Sequence, residues 1–263
     1  MGMASPDILC AEGIGQFLSG DTARIVLYPA LESTNKTAKA LAAAGGAHGT
    51  VILAEQQTAG RGRFGRSFFS PPGHGIYMSL ILRPAGGLTA TALTIRTAVC
   101  VCQAIEAFTD KTPCIKWVND IFIGGKKICG ILTEAVADIE SGHMPWMVVG
   151  IGVNVTTPPG NFPADIQSTA GSIFGKGQQA ASRNRLAAEI INRVFDLENM
   201  CGAQALCEYK KRLMMLGKKI SVTGHKEPFE ATALDIDDIG RLIVQKDSGE
   251  ILALSSGEVS IKI

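Results

Sequence analysis

The chain has 263 residues, 46% of them hydrophobic, with a formal net charge of +1 and seven cysteines. That length suits one large domain or a medium domain with a small companion, and the apolar content is ample for a buried core. Near-neutral charge gives no global pull toward nucleic acid or membrane, and an odd cysteine count without paired C-x-x-C motifs argues against a disulfide framework or a zinc ribbon and for a reducing compartment.

No positive residue precedes Arg24, Met1-Gly2 lacks the Ser or Thr of an acylation signal at position 6, and no apolar run reaches the roughly 18 residues of a bilayer span. A cytoplasmic location is therefore expected. Residues 24 to 28 (RIVLY) predict a short strand, and Ser33-Thr34-Asn35 opens an Ala-rich helix that stops at Gly45-Gly46. One of those polar residues suffices as an N-cap. Three in a row, beside the free N–H groups of a helix start, offer either redundant capping or a seat for a small polar ligand.

Residues 50 to 55 (TVILAE) predict the next strand and lead into Gln57–Tyr77, QTAGRGRFGRSFFSPPGHGIY. Gly60, Gly62 and Gly65 are interleaved with Arg61, Arg63 and Arg66, and Pro71-Pro72 follow, so this stretch is a loop. No acidic residue occurs from 56 to 105, which leaves the arginines without a local carboxylate. Glycines admit close backbone approach and guanidinium forks grip carboxylate or phosphate, so the loop reads as an anion clamp, with a solvated basic loop as the alternative. The bare G-x-G-x-x-G pattern is not a dinucleotide fingerprint, because no helix opens at Gly65 and no acid lies about 20 positions on. Gly171 to Gly177 likewise lacks the spacing and the Ser/Thr of a phosphate-binding P-loop.

Residues 75 to 82 predict the strand leaving the loop, and 89 to 108, apolar on nearly every face, a helix buried against a sheet; Cys100 and Cys102 fall within it as packing. The run CIKWVNDIFIGGKKICGILTEA, with Gly124-Gly125 at its centre, predicts two antiparallel strands joined by a tight turn. Period-two alternation places Lys127 on the face of Cys129 and Ile131, either among apolar neighbours at a site or as edge protection, with Gly130 admitting close approach. Lys116, Asn119 and Asp120 cluster where the first of these strands begins. From Pro145 to Val155 one strand face carries Met147, Val149, Ile151 and Val153. The other carries Val148, Gly150, Gly152 and Asn154, cleared as for the floor of a ligand site, or for a bulge or close helix crossing.

Residues 156 to 181 are loop-like, and helices are expected over Ser182–Met200 and about Ala203–Met215. Leu216-Gly217 marks a boundary, after which four or five short strands predict a small all-β barrel. Arg61, Arg63, Arg66, Lys116 and Lys127 would surround a glycine-lined site with few acids. That suits the joining of two anions, a carboxylate and a triphosphate, by nucleotidyl transfer. No Ser/His/Asp or Cys/His arrangement is visible, and His48, His74, His143 and His225 show no metal-ligand spacing.

Four ordered motifs carry a family resemblance: Gln57-x-x-Gly60-Arg61-Gly62-Arg63-x-Gly65-Arg66, Lys116-Trp117-Val118-Asn119-Asp120, Lys127-x-x-Gly130-Ile131-Leu132-x-Glu134, and Gly150-x-Gly152-Val153-Asn154. From about residue 25 onward the chain resembles biotin protein ligases. The resemblance implies an α+β fold: a mixed, largely antiparallel sheet backed by helices, class II synthetase-like, over 1–215, and an SH3-like barrel over 216–263. It implies the formation of biotinyl-5′-adenylate from biotin and ATP, with Mg²⁺, and transfer of biotin to a lysine of a biotin carboxyl carrier protein such as that of acetyl-CoA carboxylase. Ser33, Thr34, Asn35, Gln57, Gly60, Arg61, Gly62, Arg63, Lys127 and Gly130 would hold biotin. Arg63, Arg66, Phe68, Lys116, Asn119, Lys127, Gly152 and Asn154 would hold the nucleotide. Arg63 and Lys127 would neutralise the reacting anions, and Asp120 would receive the acceptor lysine.

Val118 stands where the family has proline. Too few residues precede the first strand for a helix-turn-helix domain, so no nucleic-acid partner is expected; with no long apolar run, no membrane partner is expected either, and a homodimer is left open. A lipoate-type ligase or a non-catalytic biotin- or nucleotide-binding regulator is the alternative function.

Overall fold

The computed structural model describes residues 7–83, 88–136, 146–175, 182–224 and 227–261; Pro145, His143 and His225 lie outside them. The chain runs α1 (Ala11–Gly15), β1 (Arg24–Tyr28), α2 (Thr34–Ala43), β2 (Thr50–Ala54), β3 (Gly75–Leu82), α3 (Ala90–Phe108), β4 (Cys114–Lys116), β5 (Asp120–Ile123), β6 (Lys126–Val136) and β7 (Trp146–Asn154). Helices α4 (Arg183–Phe195) and α5 (Gly202–Arg212) follow, then β8 (Lys219–Thr223), β9 (Phe229–Ile236), β10 (Leu242–Lys246), β11 (Ile251–Leu254) and β12 (Glu258–Ile261).

Seven strands form one sheet in the order β1-β2-β3-β7-β6-β5-β4. Only β1 and β2 are parallel, joined across α2; every other neighbouring pair is antiparallel. Strand periodicity sorts the residues to two faces. Val51, Leu53, Met78, Leu80, Met147, Val149, Ile151 and Val153 point into the main core with α3 and α4, while Ile52, Ile81, Trp146 and Val148 meet Ala38 and Ala42 of α2 on the other face. The five later strands make a second, antiparallel sheet in the order β11-β10-β9-β8-β12. Its Ile220, Val222, Ala233 and Leu242 join the same continuous core.

Helix α3, at 19 residues, is long and apolar enough by length and composition to cross a membrane, which the apolar runs of the sequence alone did not suggest. Leu93, Ala98, Val99, Val101, Ala104 and Ile105 are instead buried against the sheet and against α4 and α5, and that packing accounts for its apolar surface. Helix α1, unread in the sequence, seals the far side of α4 with the buried Ile14.

The expected two-stranded hairpin over 114–135 is three strands. The chain reverses at Trp117-Val118-Asn119, where the Trp117–Val118 peptide is cis, and Lys116 pairs with Asp120 across β4 and β5. This reversal is pinned from three sides. Trp117 Nε1 donates to Gly240 O at 3.0 Å in the β9–β10 turn, Tyr209 Oη donates to Val118 O at 2.9 Å, and Asn119 Nδ2 donates to Ile131 O at 2.8 Å. Gly240 has φ +87°, and a Cβ there would lie 2.5 Å from Ile95 Cδ1. Gly240→Ala should therefore destabilise the protein by about 1–3 kcal/mol in urea unfolding, with the Trp117 environment reporting the same transition by fluorescence.

Candidate active site

On the α2 face, β7 contributes Gly150 and Gly152, and β6 sets Leu132 opposite Gly150 and Gly130 opposite Gly152. The cleared floor expected from the sequence is present, but the protein's own side chains lie on it. A Cβ on Gly150 would sit 2.1 Å from Asn35 Oδ1, and one on Gly152 would sit 2.6 Å from the Phe68 ring. A cavity of about 550 Å³ opens above this floor.

Lys127 is not on the face of Cys129 and Ile131. Between β5 and β6 the register shifts: Ile121 faces Cys129 but Phe122 faces Lys127, so Ile128 is an extra residue in β6. Such a bulge reverses the parity of what precedes it. Lys127 consequently reaches over Gly130, its Cε 3.4 Å from where a Cβ would stand, and into the cavity. Its Nζ pairs with Asp120 Oδ1 at 2.7 Å. The backbone of Lys127 is held by the following loop, its N–H donating to Thr169 O at 2.8 Å and its carbonyl accepting from Gly171 N at 2.9 Å.

The arginine loop is a narrow ribbon whose strands are cross-linked up to its tip. Gln57 N donates to Ser70 O at 3.2 Å, Phe68 N to Gly60 O at 2.8 Å, and Gly62 N to Arg66 O at 2.7 Å. At the tip, one 3-10 turn (Arg63–Gly65) carries Phe64 with φ +54°, among the described residues the non-glycine with a left-handed backbone. The Arg63 guanidinium lies over the Phe64 ring at 4.7 Å, and its Nη1 donates to Asn119 Oδ1 at 3.0 Å. Arg63 Nη2 also reaches Gly257 O, at 3.5 Å, on the second sheet's side of the cavity.

At the opposite wall, the N-terminus of α2 is capped from a distance. Ser33 makes no side-chain cap bond; Gln57 Oε1 accepts from Thr34 N at 2.8 Å and from Thr34 Oγ1 at 3.1 Å. Ser79 Oγ stands 2.8 Å from Thr34 Oγ1 and 2.6 Å from Asn35 Oδ1. Asn35 Nδ2 donates to Glu134 Oε2 at 2.9 Å, and Lys39 Nζ pairs with Glu134 Oε1 at 2.5 Å. Burial pushes the Glu134 carboxyl up, but the hydrogen bonds from Lys39 and Asn35, with the charges of Lys39 and Arg61, together hold it below its ordinary value. The three polar residues at the helix start are thus spent on a network that fixes Asn35 over Gly150, leaving Ser33 buried at the cavity wall without a cap bond.

Of the residues expected at the site, Ser33, Thr34, Asn35, Gln57, Arg61, Gly62, Arg63, Arg66, Phe68, Lys116, Asn119, Asp120, Lys127, Gly130 and Gly152 line the one cavity. Gly60 and Asn154 do not. Gly60 lies under the ribbon, where a Cβ would stand 2.4 Å from Phe68 O, so its role is to let the two sides cross closely. Asn154 is buried and donates through Nδ2 to Gly171 O at 3.1 Å, beneath the segment that holds Lys127. Sequence reasoning missed the wall made by Ile166, Ser168 and Thr169 and by Gly257, Val259 and Ser260 of the second sheet. Neither segment carries a charged or repeated motif, and only the fold brings them to the cavity.

The Glu134 network predicts an acid effect. Its carboxyl titrates below the ordinary 4.5 in the folded chain, so the stabilisation it brings is complete above that value and is lost as pH falls through the lower folded value. Glu134→Gln should cost about 1 kcal/mol at neutral pH and flatten the decline in stability below about pH 5, measured as urea midpoints across pH.

Residues 27–154 match the biotin/lipoate A/B protein ligase family, and residues 215–262 match the biotin protein ligase C-terminal domain. The bifunctional ligase/repressor BirA of Bacillus subtilis is 35% identical over 238 residues, which cover 86% of this chain and 70% of that protein. The biotin–[acetyl-CoA-carboxylase] ligase of Mycobacterium tuberculosis is 31% identical, covering 86% of this chain and 85% of that one. The structure of the Aquifex aeolicus biotin protein ligase in complex with biotin and ATP superposes with a TM-score of 0.77 at 23% identity, over 91% of this chain and 98% of that one, and so shows the same fold. From the two domain matches and these relatives, the chain belongs to the biotin protein ligase family.

Proposed function

We propose that the protein joins biotin to ATP, forming biotinyl-5′-adenylate and pyrophosphate, and passes the biotinyl group to a lysine of a biotin carboxyl carrier protein. The observation that carries this reading is the charge of the cavity: Arg61, Arg63, Arg66, Lys116 and Lys127 line it with, among the described residues, a single carboxylate, Asp120. A carboxylate can approach a triphosphate only where their mutual repulsion is cancelled, and cations fixed in advance do this without reorganising during reaction. The biotin/lipoate family match and the named relatives supply the substrate class; of the two acids, the Arg-Gly-Arg ribbon favours biotin.

In the first step a carboxylate oxygen bonds to the α-phosphorus as its bond to pyrophosphate breaks. Lys127 and Arg63 are the groups placed to meet the charge on carboxylate and α-phosphate. The Lys127–Asp120 pair gives the steps an order. Phosphate and carboxylate oxygens compete with Asp120 for the ammonium, and an Asp120 released from it is free to take the proton of an incoming lysine amine. That amine then bonds to the acyl carbon and AMP leaves with the pair of the acyl–oxygen bond. Arg63, bonded to Asn119 at one end and reaching Gly257 at the other, draws the ribbon over the adenylate and keeps water from it.

Ser33, Asn35 and Gly130 line the biotin end, Phe68 and Gly152 the floor beneath the adenylate, and Lys116 and Arg66 the polyphosphate end. Asn154 acts from below, by holding Gly171. With Asp120 the one carboxylate among the described residues lining the cavity, a Mg²⁺ ion would be held mainly by the substrate's phosphates and would help neutralise them. Residues 1–215 carry the chemistry under this division, and 216–263 close the cavity wall. All seven cysteines are free thiols, which supports a reducing, cytoplasmic setting.

Biotin-dependent exchange of labelled pyrophosphate into ATP should be seen without any acceptor protein. Exchange with lipoate and not biotin would replace the substrate, and exchange with neither would refute the activity. Lys127→Ala should lower the exchange rate by about 100-fold or more. Arg63→Gly should release the adenylate about 10- to 100-fold faster and biotinylate bystander lysines, read by single-turnover chase and mass spectrometry.

A further inference from the structure

The ribbon's root, where the chain leaves β2 and re-enters β3, is closed by a side chain. Glu55 Oε1 accepts from Gly73 N at 2.8 Å. The same oxygen accepts from Arg183 Nη1 at 2.9 Å, and that nitrogen also donates to Gly75 O at 3.2 Å. Arg183 is the first residue of α4, and its side chain is only 3% exposed. A guanidinium withdrawn from water must be met by protein charge and acceptors, and here the two sides are met by different parts of the chain. Glu55 serves the ribbon side. On the other, the Asp7 carboxylate accepts from Arg183 N at 3.0 Å and from Nε at 3.3 Å, and the Asp7 carbonyl accepts from Nη2 at 2.5 Å.

Helix α4 keeps hold of the same N-terminal segment beyond this point. Asn184 Oδ1 accepts from Cys10 N at 2.9 Å and its Nδ2 donates to Ile8 O at 2.8 Å; Asn192 Oδ1 accepts from Ser19 N at 2.8 Å and its Nδ2 donates to Phe17 O at 2.9 Å. Residues 7–19 are thus zipped along one side of α4, and their first residue covers the guanidinium that closes the root of the ribbon.

We propose that Arg183 is a positioning residue for the clamp: through Asp7, Arg183 and Glu55, the seating of the N-terminal segment on α4 sets how firmly the ribbon bearing Arg63 is anchored. The anchor works because Arg183 is dry. When Asp7 is lost, water reaches the guanidinium, its bond to Glu55 is screened, and the rungs above it at Gln57–Ser70, Gly60–Phe68 and Gly62–Arg66 open more often. The consequence for catalysis rests on the adenylate-forming reading; the anchoring itself does not.

The test is hydrogen exchange by mass spectrometry on the full chain in buffer without substrates, comparing wild type with Asp7→Asn and Glu55→Gln. The two side chains are 37% and 27% exposed, so both variants are expected to fold, and Arg183→Lys is a third. The amides of Gly62 and Phe68, which donate the upper rungs, should exchange about 3- to 10-fold faster in each variant, with β7 unchanged. Biotinyl-adenylate release should accelerate in the same variants. Unchanged clamp exchange overturns the proposal, as does faster exchange spread evenly over the core, which would mean plain destabilisation. Faster clamp exchange in a wild-type background that shows no biotin-dependent pyrophosphate exchange upholds the anchor and refutes the activity instead.

Discussion

The absent β-carbons of Gly150 and Gly152 let a side-chain amide and an aromatic ring lie directly on the backbone of β7. Asn35 and Phe68 come from opposite sides, one from the start of α2 and one from the ribbon, and meet the floor two residues apart. Everything else in the site is fitted to these two contacts. Gln57 caps α2 because Asn35 must stay down, and Ser79, Glu134 and Lys39 complete its partners. Gly60 is required because the ribbon must cross closely for Phe68 to reach Gly152. A larger residue at either floor position would displace the wall before it met any substrate.

The electrostatic arrangement follows from this geometry. The floor carries the Asn35 amide and the Phe68 ring and the walls carry the cations, so the cavity offers an aromatic face, a polar end and a rim for anions. Three of the five cations sit on the ribbon, which makes the charge of the site depend on where that ribbon lies. Contacts at both ends help to hold that position: Arg63 with Asn119 near the tip, and Glu55 with Arg183 at the root. One lines the cavity and the other lies away from it.

Much of this was legible in the sequence, because glycine, proline and arginine punctuate the chain at the places where the backbone does something unusual. The ribbon, the cleared face of β7 and the apolar α3 could each be read from residue type and period. The second sheet was legible as the run of short strands that follows Leu216-Gly217. What could not be read depends on contacts between distant segments. The Trp117 reversal looks like continuous strand until Gly240, Tyr209 and Ile131 are there to hold it. The bulge at Ile128 leaves no mark, since Ile is as good a strand residue as any. Arg183 looks like an ordinary first-turn helix residue, and only Asp7 and Glu55, far off in the chain, give it a purpose.

The extra residue in β6 also works as a phase setting. In a strand, one residue is half a period, so leaving Ile128 outside the pairing between Lys127 and Cys129 brings the ammonium out on the side of the Asp120 carboxylate. Were Ile128 paired regularly instead of bulged, Lys127 would turn to the face of Cys129 and the main core, where an unpaired ammonium costs several kcal/mol. The side on which Lys127 emerges is therefore set by where the bulge sits and not by the type of residue that forms it.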